Sequence, residues 1–549
     1  MPAGARKGNR NMAGPKKQSF LGGAAVLAGA ALVVKLIGAA YKIPLNNILG
    51  AVGKTYFNTA YYIYNVLLTI STAGLPLAIS RLTSQAYAQG RENQKRKLFQ
   101  VALRMFFILG LVGSVFMFTR AGWLAARLNN PMARLPVRAL APAVFCVCLL
   151  ACMRGYTQGQ GNMTPTAASQ ILEAMCKVFI GLPCAWYVIH LGFGLDAGAA
   201  GAILGVTVGT VLSMCFLILY LVRHRSHETA SDVPDSGGAI LKSILVIGIP
   251  ITLSNSAMSI INIVDTTVVM GRLQAGLHFT EEQAAALNGQ YGFAMDMINM
   301  VVAFAYPVTM SLLPTASAAL ARRDTAEVDR IISTAFRVIV VLALPAGIGL
   351  SALSTPIMRV ILPAQPSAAL AAGPHLRILG FACVLIFLMI LTNAILQTYG
   401  RELIPIFTVV AGGITKVTMN YFLVGTPDIN IKGAPISTLC CYTVIVTLNL
   451  IFVWVYSPEK PRYAALFLKP LAASALMGGA VWAAYGFLSR LISGGGAVSF
   501  GQNAICTFLS IGAGALVYGV LIIALGILRA ADLRGIPHGQ TIIRILRLR

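Results

Sequence analysis

Apolar stretches of about 20 residues recur along the whole of this 549-residue chain. Each is long enough to cross roughly 30 Å of hydrocarbon as a helix. In lipid the backbone polar groups must be bonded within the element, so these runs are read as helices. Fourteen candidates lie near residues 20–41, 57–80, 98–118, 137–153, 166–189, 197–222, 241–270, 290–320, 333–362, 376–398, 403–424, 434–456, 464–488 and 503–528. Hydrophobic residues make up 57% of the chain and charged residues 11%, outside the range of soluble domains. The expected fold is therefore an all-α polytopic membrane protein of about 14 transmembrane helices. Residues 1–19 are polar and basic, and the apolar run after them is too long for a signal peptide core. This start is expected to be a cytoplasmic tail.

The chain also repeats itself. Gln158, Pro165 and Lys177 recur as Gln397, Pro405 and Lys416, at offsets of 239, 240 and 239. Leu75-Pro76 with Ser80 recurs as Leu313-Pro314 with Ser317. Six apolar runs precede a polar linker at 223–240 and six follow it. A six-span unit has even parity, so both copies enter the membrane in the same orientation and form parallel repeats. The expected organisation is an N-lobe at 20–222, a linker at 223–240, a C-lobe at 241–456 and an extra helix pair at 464–528. A basic tail at 529–549 follows, whose Ile/Leu and Arg alternation suits the membrane surface or water equally. Prolines inside many spans suit helices that bend as a wall opens, and are also simply commoner in membrane helices.

The formal net charge of +25 would suggest nucleic acid in a soluble protein. Here topology explains it, because Lys and Arg gather on cytoplasmic loops. With both termini inside, 26 of the 42 basic residues fall on cytoplasmic segments and 11 on outer loops. The remaining five, Lys35, Arg104, Lys177, Arg337 and Lys416, fall within spans. The outer loop with Arg120, Arg127, Arg134 and Arg138 runs against the rule.

Charges inside spans are expensive and call for a partner or a function. Lys35 and Lys42 lie seven residues apart, on one helical face, where two stacked cations suit a diphosphate. The alternative is that both snorkel to outer headgroups. Glu173 and Lys177 have the i, i+4 spacing of a helical ion pair, structural or cavity-lining. Lys416 lacks the matching acid, since Gly412 and Gly413 stand there, and needs a partner from another helix or water. Asp265 and Asp296 are candidates for a coupling proton or cation, or for offsetting Lys35. Asp265 is the deeper in its apolar run, and Asp296 is placed nearer the membrane surface. The ten cysteines lie in spans without a C-x-x-C pair or a histidine cluster and read as packing residues, with neither disulfides nor metal expected. The sequence contains no phosphate-binding loop, dinucleotide glycine pattern, zinc helix motif or nucleophile elbow. No enzyme activity, cofactor or built-in ATP motor is expected, which leaves the membrane potential, an ion gradient or the substrate gradient.

Several segments together resemble the MurJ-like and stage V sporulation protein B branch of the MOP flippase superfamily. They are Gly38 to Leu45, Ala73 to Ser80, Arg154-Gly-Tyr156 to Glu173, Ile249-Pro250 to Asp265, Ser311 to Pro314 and Asn430-Ile-Lys432-Gly433. The match covers essentially residues 20–456. The resemblance implies two lobes around a cationic cavity, with the last two helices forming a groove for a lipid tail. It also implies export of undecaprenyl-diphosphate-linked sugars, lipid II above all, from the inner to the outer leaflet. The family's first-helix cation matches Lys35, with Lys42 at or beside the second. Its second-helix arginine is missing, the nearest base being Arg81, and Asp296 stands about where the eighth-helix arginine would be. A less cationic cavity than in those relatives is therefore expected.

The resulting expectation is an alternating-access flippase in the bacterial plasma membrane. Lys35, Lys42, Arg81, Glu173, Lys177 and Lys416 are its candidate substrate-binding residues, and Asp265 and Asp296 its coupling acids. Expected partners are a lipid-linked oligosaccharide, membrane lipids and a coupling ion, without nucleic acid. Two other readings stay open: a cation-coupled multidrug antiporter on the same fold, and a non-transporting scaffold for cell-wall or spore assembly.

Overall fold

In the computed structural model the described residues are 20–72, 74–224, 231–457, 460–461, 463–493 and 498–527. The basic N-terminal and C-terminal tails expected from the sequence lie outside them. The described chain is built almost wholly of helices. The first half comprises α1 (Phe20–Thr72), α2 (Leu75–Ala88), α3 (Glu92–Thr119), α4 (Ala121–Arg127), α5 (Arg134–Gly159), α6 (Thr164–Cys176), α7 (Leu182–His190) and α8 (Leu195–Arg223). The second comprises α9 (Gly237–Gly271), α10 (Glu281–Val302), α11 (Tyr306–Ala321), α12 (Thr325–Ala352), α13 (Ser354–Ile361), α14 (Pro366–Thr398), α15 (Leu403–Leu423) and α16 (Gly433–Tyr456). The pair α17 (Tyr463–Ser493) and α18 (Phe500–Ala524) follows.

Eleven helices among the described residues are long and apolar enough to cross a membrane. Fourteen crossings are consistent with this number, if α1 is taken as two arms and α9 and α10–α11 are added. Apolar side chains on the outside of α3, such as Phe107, Ile108, Val112 and Phe116, are exposed as a lipid-facing helix requires.

The two halves repeat their packing. α5 sits between α3 and α8, and α14 sits in the same way between α12 and α16. α6 leans on α8 as α15 leans on α16. The turn after α5 closes through Gly161 (φ 79°) and the turn after α14 through Gly400 (φ 69°). Both need a left-handed backbone that glycine adopts without a Cβ penalty. α17 docks on α12 and carries α18 outside it, so the extra pair belongs to the second half's flank.

The structure corrects the expected gap between the first two spans. The polar stretch from Lys42 to Tyr56 is not a loop, because helix continues through it and turns at Gly50 (φ 63°, ψ −174°). Lys42 and Lys54, assigned to an outer loop by hydropathy, therefore sit within helix on either side of the bend. The second arm stops at Thr72, and Leu75-Pro76 opens α2 with the proline in its first turn, where no amide bond is lost. The expected spans near 290 and 333 also move: α11 ends at Ala321 and α12 begins at Thr325, after an Asp324 cap that accepts from the Glu327 amide at 3.0 Å.

At the bend α1 meets α10 backbone to backbone. A Cβ placed on Gly289 would lie 1.9 Å from the Ala51 carbonyl oxygen, so only glycine fits. The Thr55 hydroxyl donates to the Ala285 carbonyl at 2.7 Å. Asn47 donates to the Ile361 carbonyl at 2.8 Å and accepts from the Ala364 amide at 3.1 Å. Gln274 donates to the Asn129 carbonyl at 2.6 Å. Several bonds between the halves thus lie at this end of the bundle, and others join the Thr69 and Ser259 hydroxyls at 3.1 Å and the Gly74 amide to the Thr252 hydroxyl at 3.2 Å. At the opposite end the first part of α9 packs Ile240 and Ile244 on Leu75, Ile79 and Leu98, while its last part packs on α15. α9 thus belongs to both halves.

Residues 231–236 of the linker clasp the turn before α3. The Asp232 carboxylate accepts from the Asn93 and Gln94 amides, each at 2.9 Å, and Asp235 pairs with Arg91 at 3.1 Å. These are free amides of a helix N-terminus, where a carboxylate is favoured. Desolvation raises the Asp232 pKa, but the two amide bonds outweigh it and hold the carboxyl below its ordinary value. A depressed folded pKa contributes stability that is present above the unfolded value and lost as pH falls through the folded one.

Two outcomes are expected. Gly289→Val should force α1 from α10 and lower the melting temperature in detergent, at a cost of about 1–3 kcal/mol, whereas Gly479→Val, with open space around it, should leave it unchanged. Protease cleavage between Arg223 and Lys242 should rise as pH drops below the ordinary aspartate pKa, and Asp232→Ala should cleave at that faster rate already at neutral pH.

Candidate functional site

Three clusters of charge lie inside the helical bundle. The first joins the halves. Asp296, buried on α10, binds the Lys42 ammonium through Oδ1 and the Lys54 ammonium through Oδ2. Asn46 donates to Oδ2 at 3.2 Å. Lys42 and Lys54 reach one carboxylate because the Gly50 bend brings the two arms of α1 together on that face. The Lys42 side chain is 38% exposed and that of Lys54 is 0% exposed. The Asn46 Oδ1 atom is buried with no hydrogen-bond partner.

The second cluster belongs to the first half. Glu173 on α6 takes Lys177 at 3.3 Å and Arg154, from α5, at 3.5 Å. Arg154 also donates to the Ser169 hydroxyl at 2.9 Å. Lys177 opens a π-helical turn, Lys177–Gly181, that joins α6 to α7. The third cluster belongs to the second half. Lys416 on α15 pairs with Asp265 on α9 at 2.8 Å, Asn420 donates to the other carboxylate oxygen, and Ser437 donates to Asn420 at 2.6 Å. A buried carboxylate needs both its charge and its lone pairs met, and each of these acids has them met.

Lys35 stands apart from the carboxylates. Its ammonium lies 3.0 Å from the centroid of the Tyr306 ring on α11, a cation–π contact between the halves. It is half-buried. Among the described residues Lys35, Lys42, Lys54, Arg154, Lys177 and Lys416 thus face three carboxylates, Glu173, Asp265 and Asp296, so these groups together carry an excess of positive charge.

The expected residues fall into place unevenly. Glu173 pairs with Lys177 as their spacing suggests, and Lys416 finds its partner on another helix. Asp265 is bound to Lys416 and does not offset Lys35. Asp296 does not lie near the surface but is buried between two lysines, because α10 begins at Glu281, nine residues before the hydropathy boundary, and carries it deep into the bundle. Hydropathy had opened that helix only near residue 290. Arg81 is exposed on α2, away from the three clusters. Lys54, Asn46, Arg154 and Asn420 were missed. A signal for Lys54 did exist: Gly50 and Gly53 recur as Gly289 and Gly292, with the spacing of the other repeats, and mark where α1 and α10 touch.

No group of His, Cys, Asp and Glu among the described residues is placed to hold a metal ion. The ten cysteines are free thiols, most of them buried.

A family model described as "Polysaccharide biosynthesis protein" matches residues 20–320, more than half of the chain. The chain belongs to that polysaccharide biosynthesis protein family. Within the family it is 24% identical to the stage V sporulation protein B of Bacillus subtilis (strain 168), over 96% of this chain and 100% of the relative. It is 23% identical to the lipid II flippase MurJ of the same organism, over 84% of this chain and 88% of the relative. A solved structure titled "Lipid II flippase MurJ, inward closed conformation" superposes with a TM-score of 0.67 at 13% identity, covering 91% of this chain and 99% of that one. An inward-facing MATE multidrug transporter of the MOP superfamily superposes at 0.59 with 16% identity, covering 82% and 98%. This member of the polysaccharide biosynthesis family therefore has the all-helical fold of the MOP flippases. It is a multi-pass membrane flippase or transporter.

Removing one partner of the third cluster leaves a buried charge unmet. Lys416→Met alone should cost about 3–5 kcal/mol of stability, and Asp265→Leu together with Lys416→Met should recover most of it; thermal unfolding in detergent measures both.

Proposed function

We propose that this protein carries an undecaprenyl-diphosphate-linked cell-wall precursor, lipid II or a related lipid-linked oligosaccharide, across the bacterial plasma membrane by alternating access. The observation that carries this reading is the excess of cations between the halves, with Lys35 and Lys42 on one face of α1 and partly open. A diphosphate offers the oxygens that such ammonium groups bind as charge-assisted hydrogen bonds. The similarity to a lipid II flippase supports the same class of cargo. Glu173 with Lys177, and Asp265 with Lys416, shape the walls of the cavity, and Arg81 lies outside it in this reading.

Both termini are assigned to the cytoplasm, which puts Gly50 and the bonds between α1 and α10 on the outer side. The cargo would then enter from the linker side while the outer side is sealed. An inside-negative potential assists outward movement of an anion by about 2.3 kcal/mol per charge at 100 mV. The multidrug antiporter is the second reading. It draws on the likeness to MATE transporters and on Asp265, a buried acid on α9. The excess of interior cations opposes it for cationic drugs.

Reconstitution into vesicles with lipid II, and separately with undecaprenyl-diphosphate-linked sugars, tests the proposal by leaflet-specific labelling. Wild-type protein should move label between leaflets. Lys35→Ala and Lys42→Ala should each slow this at least about tenfold, as loss of a charge-assisted contact of about 1.5–3 kcal/mol requires. Equal rates with and without wild-type protein would sink the reading. Drug resistance on overexpression, abolished by Asp265→Asn, would favour the antiporter instead.

A further inference from the structure

We infer that Asp296 is a tethered counter-anion which the cargo's diphosphate displaces from Lys42 and not from Lys54, and that this exchange releases the seal between α1 and α10. The inference rests on the lipid-diphosphate reading above and assigns a trigger to the same site.

The two lysines on Asp296 are not equivalent. Lys54 has no exposed side-chain surface, so without its carboxylate it would be an unpaired charge in an apolar interior. Lys42 is 38% exposed and can exchange its partner at small cost. Lys35 stands seven residues before Lys42, about two helical turns away on the same face, with its ammonium over the Tyr306 ring and on no carboxylate among the described residues. An anion that meets Lys35 therefore finds Lys42 next in line, and Lys54 out of reach behind Asp296. Asn46 adds an observation of its own. Its Nδ2 donates to Asp296 Oδ2, the oxygen that also holds Lys54, so that side of the carboxylate keeps two partners when Lys42 leaves.

The exchange is coupled to the seal by position. Asp296 lies on the helix that touches α1 at Gly289 and Ala51, and whose Ala285 carbonyl accepts from Thr55. The carboxylate is the ionic tie in that contact, because both its lysines come from α1 and it comes from α10. Loss of the Lys42 half weakens the tie on its exposed side, while the Lys54 half keeps the buried charge met. Selectivity follows from the same arrangement. A cargo with a single weak negative charge competes poorly with a carboxylate already bound and held by the fold, whereas a diphosphate brings more oxygens and more charge.

The test uses the full-length purified protein in detergent, with undecaprenyl diphosphate as probe and inorganic pyrophosphate as a tail-free control. Asp296→Asn removes the competing anion and should tighten undecaprenyl diphosphate binding several-fold. Lys54→Met with Asp296→Asn should show the same tightening without the unpaired Lys54, which keeps the test decisive if the single variant fails to fold. A cysteine at Ala285→Cys, followed by maleimide labelling of that peptide, reports the seal. Labelling should rise with undecaprenyl diphosphate in the otherwise wild-type protein and be high without it in the Asp296 variants. Unchanged or weaker binding in both variants, with Ala285→Cys unlabelled throughout, would overturn the inference and leave the functional reading standing, since wild-type protein still binds. Failure of wild-type protein to bind undecaprenyl diphosphate would overturn both. Equal binding of pyrophosphate would show that the headgroup alone drives the exchange, and would support it.

Discussion

One carboxylate between two lysines governs how this bundle is put together. Asp296 faces Lys42 and Lys54 from opposite arms of a single bent helix. In a protein whose outer surface is hydrocarbon, charge of this kind has nowhere else to go. The bend at Gly50, the glycine contact at Gly289 and the register of α10 all have to agree before the three groups meet. The ion cluster therefore specifies geometry more than it adds stability, since desolvation of the ions offsets much of their attraction.

The same logic, worked within each half, explains the other two clusters. Glu173 meets its lysine one turn along its own helix and draws Arg154 from α5. Lys416 meets Asp265 across to α9, with Asn420 and Ser437 completing the shell. Duplication supplied the lysine twice, but each copy satisfied it with a different acid. The halves thus share a scaffold and differ in polar interior, and the residual positive charge lies along α1, where they meet.

Much of this was legible in the sequence, and the failures share a cause. Long apolar runs announce helices because hydropathy averages over a turn or more. The repeated Gln, Pro and Lys correctly pointed to paired architecture, and the turns at Gly161 and Gly400 show what was being repeated. The same averaging misread residues 42–56. Asn46, Asn47, Lys54 and Thr55 look like a wet loop, yet they lie in helix, with Asn46 and Lys54 on Asp296, Thr55 on the α10 backbone and Asn47 on the backbone at Ile361 and Ala364. Composition cannot tell water from a buried partner. For the same reason the acid for Lys416 was invisible, since only folding brings α9 against α15.

The π-helical turn at Lys177–Gly181 has no counterpart in the second copy, where Lys416 sits inside the continuous helix α15. A π turn is a local bulge in a helix, frequent at functional sites. Placed directly after Lys177 and packed on α8, it gives the end of this span a phase that its partner in the other copy lacks. Two halves built on one scaffold thus present different faces just beyond their shared lysine.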